Sequence, residues 1–174
     1  MAKSISAKSA SLIKYSFSDT DGGKSITDSD NTERKCEYTY GTGNFQVNSI
    51  VRNTGVVNSG SNIEIDFSLY PFSSIGLSGT VAYNSVKSVL ISNTSTDEGI
   101  DISVMATGTN AAVDIFNGGS GNLLIKPYSS FVVNDPYSGI DVSTNSKIHI
   151  HNVATTSGST SGNASYSITV MGVI

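Results

Sequence analysis

Tryptophan is absent from this 174-residue chain, cysteine occurs once and proline three times. A lone Cys36 excludes a disulfide framework within the chain. Charge is scarce as well: 14% of the residues are ionic, against roughly 25% in an average globular protein. Ten basic residues stand against 14 acidic ones, for a net charge of −4 and a pI near 4.9. That balance leaves no cationic footprint for nucleic acid or for an anionic membrane surface, so neither is expected as a partner. No apolar run approaches the roughly 20 residues of a membrane span, and Met1 to Lys8 contain no signal-peptide core. The expectation is a protein made in a cytosol and soluble there.

Hydroxyls and amides supply the polarity instead. Serine and threonine make up about 27% of the residues and asparagine about 9%. With mean hydropathy near zero and little net charge, the composition is not that of a disordered chain. Few Ala, Glu, Lys or Arg argue against helical bundles, and the Val, Ile, Thr and aromatic content favours strands.

Periodicity agrees. Leu12, Ile13, Tyr15 and Phe17 give Ser11 to Phe17 an apolar face, and Asn62 to Tyr70 alternates Ile63, Ile65, Phe67 and Leu69 with polar residues over nine positions. Further strands are expected at Lys35 to Tyr40, Asn44 to Val51, Ser85 to Ser92, Ile100 to Met105, Leu123 to Lys126, Phe131 to Asn134, Lys147 to Asn152 and Ser165 to Met171. Turn chemistry lies between them, at Gly41 and Gly43, Asn58-Ser59-Gly60, Asn117 to Gly121, Asp135-Pro136-Tyr137-Ser138-Gly139 and Thr155 to Asn163. Thr20 to Glu33, with Asp19, Asp21, Asp28 and Asp30 around it, reads as a long mobile loop. About ten strands at this spacing predict an all-β, antiparallel β-sandwich. Residues 1–10 are expected to be a flexible arm and residues 11–174 one domain, although a boundary near Gly76 to Tyr83 is conceivable.

Catalytic signatures are thin. His149 and His151 alternate with Ile148 and Ile150, so both imidazoles leave one strand face. They are either half of a metal shell or the polar side of an ordinary strand. No Gly-x-Ser-x-Gly elbow occurs, and Cys36 sits in an alternating strand as a small hydrophobe. Gly118-Gly119-Ser120-Gly121 lacks the lysine and helix of a phosphate loop. The carboxylates Asp97-Glu98 and Glu64 with Asp66 read as exposed charges rather than a glycosidase pair. The acidic segment 19–33 is either a calcium-binding loop or a solvated arm, and its spacing does not match an EF-hand. Asn93-Thr94-Ser95 and Asn163-Ala164-Ser165 match a glycosylation pattern by chance. No enzyme activity, cofactor or metal is expected.

From Ser85 onwards the chain resembles the second half of small jelly-roll proteins of tailed-phage virions. Val86 to Ser95, Leu124 to Phe131, Asp135-Pro136-Tyr137-Ser138-Gly139 and Ala164 to Gly172 carry the resemblance, and Ile63 to Leu69 fits it from the first half. One turn departs from the pattern, since Lys126-Pro127-Tyr128-Ser129-Ser130 stands where an apolar-Pro-Gly-Gly turn is expected. The resemblance implies a jelly-roll-like virion structural protein, assembled in the host cytoplasm: a capsid decoration (cement) protein or a tail or fibre component. The expected partners are further copies of itself, as a homotrimer, and the major capsid protein or other virion proteins. Contacts are expected at Lys3, Lys8, Tyr128, Tyr137, Lys147, His149 and His151. The alternative is a receptor- or carbohydrate-binding head of the tail, with Tyr38, Tyr40, Tyr70, Tyr128 and Tyr137 as stacking candidates.

Overall fold

The structure, a computed structural model, describes residues 4–21, 24–74, 77–97, 100–116, 122–154 and 162–174, with their side chains except at 11–21, 24–32, 34, 74, 77, 100 and 154. Among the described residues there are fourteen strands, two single 3-10 turns and no α-helix. In chain order the strands are β1 (Ser6–Asp21), β2 (Lys24–Tyr40), β3 (Gln46–Val47), β4 (Ser49–Val57), β5 (Asn62–Asp66), β6 (Tyr70–Ser74) and β7 (Leu77–Val81). They continue with β8 (Ser85–Asn93), β9 (Ile100–Met105), β10 (Asn122–Ile125), β11 (Ser130–Asn134), β12 (Ile140–Asp141), β13 (Lys147–Ala154) and β14 (Ala164–Val173).

Two antiparallel sheets form the body of a β-sandwich. One runs β10-β9-β13-β5; the other runs β11-β8-β14-β4, with β12 added beside β8. Their facing sides follow the alternation written in the sequence. Ile102, Val104, Ile148 and Ile150 from the first sheet meet Val89, Ile91, Ile168 and Val170 from the second in one core, all of them fully buried. Burying each such side chain is worth about 1.5–3 kcal/mol, which is the main source of stability here. Tyr70 and Tyr83 close one part of this core, and their hydroxyls donate to the carbonyls of Ile168 (3.2 Å) and Val170 (3.4 Å). Gly172 lies where the β14–β8 register shifts. A side chain there would run into the Ser85 carbonyl and come within 2.8 Å of the Tyr83 ring.

The sequence reading needs correction in three places. First, Thr20 to Glu33 is not a loop along its length: β1 and β2 pair antiparallel from Ser6↔Thr39 to Asp21↔Lys24, a two-stranded ribbon about 50 Å long at 3.3 Å per residue. The Ser/Thr/Asp-rich return strand only looks like a loop when read without its partner. The expected arm boundary after residue 10 falls inside β1. Second, β3 pairs parallel to β2 (Thr39↔Gln46, Tyr40↔Val47), rather than as a hairpin through Gly41 and Gly43. Third, the nine-residue alternation stops at Asp66. Its carboxylate accepts from the Ser68 amide at 2.8 Å and caps a 3-10 turn, Phe67–Leu69. The turn reverses the faces beyond it, so Phe67 and Tyr70 are buried while Leu69 is 63% exposed. The β6–β7 hairpin and β12 went unread because their runs are short or interrupted by Pro71, Gly76 and Gly79.

Candidate functional site

The expected contact residues that the structure describes are distributed over both outer faces and both ends of the sandwich. On the outer face of the four-stranded sheet, Lys147 on β13 stands opposite β5. Its ammonium is 2.8 Å from Glu64 Oε1 and 4.0 Å from Asp66 Oδ2, and the Glu64 hydrogen bond raises its pKa. His149 Nε2 lies 3.6 Å from Glu64 Oε2, while its buried Nδ1 has no hydrogen-bond partner. Burial alone would push the Asp66 carboxyl up. Hydrogen bonds from Ser68 and Ser146 outweigh it, with help from the Lys147 charge, and hold it below the usual carboxylate range. His151 shares the face of His149, with Asn62 and Ser103 as its cross-strand neighbours. Among the described residues no three His, Cys, Asp or Glu side chains converge as a metal shell. Asp101, also on this face, is buried and pairs through Oδ2 with Lys126 at 2.5 Å, leaving Oδ1 without a partner.

The opposite face of the molecule belongs to the five-stranded sheet and the base of the ribbon. Here Lys8 pairs with Glu33 across the ribbon at 2.6 Å. Between ribbon and sheet lies an open cleft of about 890 Å³, lined by Ile50, Leu90, Val132 and Met171 on one side and Ala7 and Ala10 on the other. Serine and threonine hydroxyls cover much of the rest of this face; Ser130 Oγ donates to Ser92 Oγ at 2.8 Å and Arg52 Nε to Ser167 Oγ at 3.1 Å. Cys36 is half-buried beside a small second cluster of Tyr38, Val47 and Met171.

The tyrosines divide sharply. Tyr38 and Tyr70, both expected as stacking candidates, are buried and are excluded from that role. Their phenolic pKa values rise because burial disfavours the phenolate, and each hydroxyl donates to a carbonyl, Lys87 and Ile168 respectively. Tyr40, Tyr128 and Tyr137 are exposed. Tyr128 takes φ +60°, the conformation the expected glycine would have supplied, and its hydroxyl donates to the Thr96 carbonyl at 3.0 Å. It sits by Asn93 at the end of β8, whereas Tyr137 sits by Lys87 near the start, so strand rise puts them roughly 20 Å apart.

Sequence reasoning placed Phe45 in the strand expected from Asn44 to Val51 and gave it no role at a site, whereas the structure sets it in the turn before β3. Its ring meets that of Tyr137 edge-on, with centroids 5.1 Å apart and planes at 70°, and its backbone has φ +54°. Only the preceding Gly43-Asn44 hints at an unusual backbone there. Lys3, Glu98, Gly118 to Gly121 and Thr155 to Ser161 lie outside the described residues, as do the side chains of Asp19, Asp21, Asp28 and Asp30.

No family model and no curated protein matches the chain. Among solved structures, the Yersinia pseudotuberculosis-derived mitogen is similar over 71% of this chain and 85% of its own length, at 14% identity and a TM-score of 0.36. A likeness that loose carries no functional argument.

Proposed function

We propose that the protein is a non-enzymatic structural component of a tailed-phage virion, a capsid decoration protein that works as a homotrimer. The observation that carries this reading is the open edge of the ribbon. In the strand order β1-β2-β3, β1 is terminal, so along 16 residues its outer backbone groups meet no other strand among the described residues. A two-stranded ribbon is marginal in water, and an open edge of this length is a template for another chain. Addition of a strand from a neighbouring copy satisfies both needs. The cleft lined by Ile50, Leu90, Val132 and Met171 gives the same face apolar surface to cover.

The strand order also supports the jelly-roll reading. Eight strands fall into two four-stranded sheets, β4-β14-β8-β11 and β5-β13-β9-β10, in which β4 leads to β5, β8 to β9 and β13 to β14 across the sandwich. That is the pattern of two interlocked Greek keys. The serine- and threonine-rich outer face suits neutral hydrogen bonds of about 1 kcal/mol each, which symmetry multiplies and salt barely weakens.

Quantitative mass spectrometry of purified virions tests the assignment. A decoration protein is present in copies on the order of hundreds, as a repeated capsid lattice requires. A dozen or fewer places it in the tail or neck, and absence from the particle refutes the proposal.

A further inference from the structure

We infer that the exposed Phe45–Tyr137 pair is a binding platform for an uncharged saccharide, separate from the open β1 edge proposed above for assembly. Both rings face solvent, Phe45 at 39% and Tyr137 at 60% exposure. Phe45 holds its ring beside Tyr137 from a backbone conformation, φ +54°, that is unfavourable for a residue with a side chain. Glycine at that position would relieve the backbone but would remove the edge-on contact that sets the Tyr137 ring beside it.

The surrounding loop is fixed before any ligand arrives. The Phe45 amide donates to the Pro136 carbonyl at 2.6 Å, and the Asp135 amide to the Lys87 carbonyl at 2.9 Å. The Lys87 side chain, buried beneath the loop, donates its ammonium to the Tyr137 carbonyl. Asp135 closes the turn by accepting from the Tyr137 amide at 3.1 Å and from Ser138 Oγ at 3.3 Å. A platform ordered this way loses little entropy on binding.

The chemistry around the rings selects the ligand. Aromatic faces stack on the C–H face of a sugar ring, while the Asp135 carboxylate and the Ser138 hydroxyl accept hydrogen bonds from its hydroxyls. The positive charge of this loop, on Lys87, is directed inward at a carbonyl rather than outward at a ligand. A hydroxyl-rich neutral ligand therefore fits, and a phosphorylated or sialylated one does not.

The test uses the intact chain and its Phe45→Gly and Tyr137→Ala variants on an array of neutral, sialylated and sulfated oligosaccharides, followed by titration with the best neutral hit. Oligomeric state and Tm are measured on the same samples. Wild type should retain neutral glycans, and each variant should lose at least tenfold in affinity. Phe45→Gly should keep the wild-type oligomeric state and remain folded at the assay temperature. The inference is overturned if wild type binds no glycan or only anionic ones, or if Phe45→Gly binds as well as wild type. Dissociation of the oligomer by Phe45→Gly overturns it too, because the ring would then be an interface residue.

Discussion

Replacing Asp66 by alanine probes the residue that ends β5 and turns the chain into the core. One oxygen, Oδ1, accepts from Ser68 N at 2.8 Å, Ser68 Oγ at 2.7 Å and Ser146 Oγ at 2.7 Å. Losing the cap costs about 1 kcal/mol. Taking its close acceptor from the Ser146 hydroxyl, in a residue only 4% exposed and left with Ser68 Oγ at 3.5 Å, costs about 1–2 kcal/mol more. The expected loss is about 2–3 kcal/mol, or roughly 5–10 °C in Tm for a chain of this size. Asp66→Asn keeps an acceptor and should lose about half as much. The acid limb gives a second readout. Because the folded carboxyl titrates below its unfolded value of about 4, its contribution is fully present above that pH and disappears as pH falls through the folded value. Urea unfolding at pH 7 and at steps down to pH 2 should therefore show the gap between wild type and Asp66→Ala closing in that window. A gap below about 0.5 kcal/mol at pH 7, or one that persists unchanged into acid, would refute the reasoning.

Further outcomes follow from the packing. Gly172→Ala drives a methyl group against the Ser85 backbone and the Tyr83 ring, and should cost about 1–3 kcal/mol in denaturant unfolding. Tyr70→Phe should lose only about 1 kcal/mol, the worth of one hydroxyl bond, whereas Tyr70→Ala should lose about 3–5 kcal/mol through the cavity. Burial pushes the Tyr83 phenol up to about 12 and raises Tyr38, Tyr70 and Tyr166 as well. Spectrophotometric titration should show these four ionising late. Stability should be intact below pH 10 and fall as pH rises towards the folded values, because the unfolded chain gives up these protons first. If all the tyrosines titrate together near pH 10 while the protein remains folded, the buried core described above is wrong.

Much of the sandwich was legible because a half-buried strand writes itself as alternation. Ile148 and Ile150 against His149 and His151, and Ile63 and Ile65 against Glu64, were read correctly as core and surface. Alternation failed where a side chain redirected the backbone, as Asp66 does before Leu69 and Tyr70. It also failed to sort the tyrosines, since a residue with an apolar body and a polar tip suits core and surface alike; Tyr38 and Tyr70 went inside because carbonyls wait there for their hydroxyls. The ribbon was half visible in Leu12 to Phe17, but its return strand is polar and becomes a strand only by pairing. The Lys8–Glu33 contact spans 25 positions and exists only once that register is set. Phe45 was read as part of a strand, because its spacing from Val47 suits alternation and only Gly43-Asn44 hints at the positive φ it adopts.

Low charge and abundant hydroxyls describe an outer surface suited to many neutral contacts. Whether the ribbon edge makes them is the central question. Hydrogen exchange of the 174-residue chain, measured beside sedimentation velocity over a wide concentration range, answers it directly. The account predicts a species of about 54 kDa, three chains of 18.1 kDa, with amides of β1 gaining protection as it forms. A monomer at every concentration, or an oligomer in which exchange along β1 does not slow, would contradict it.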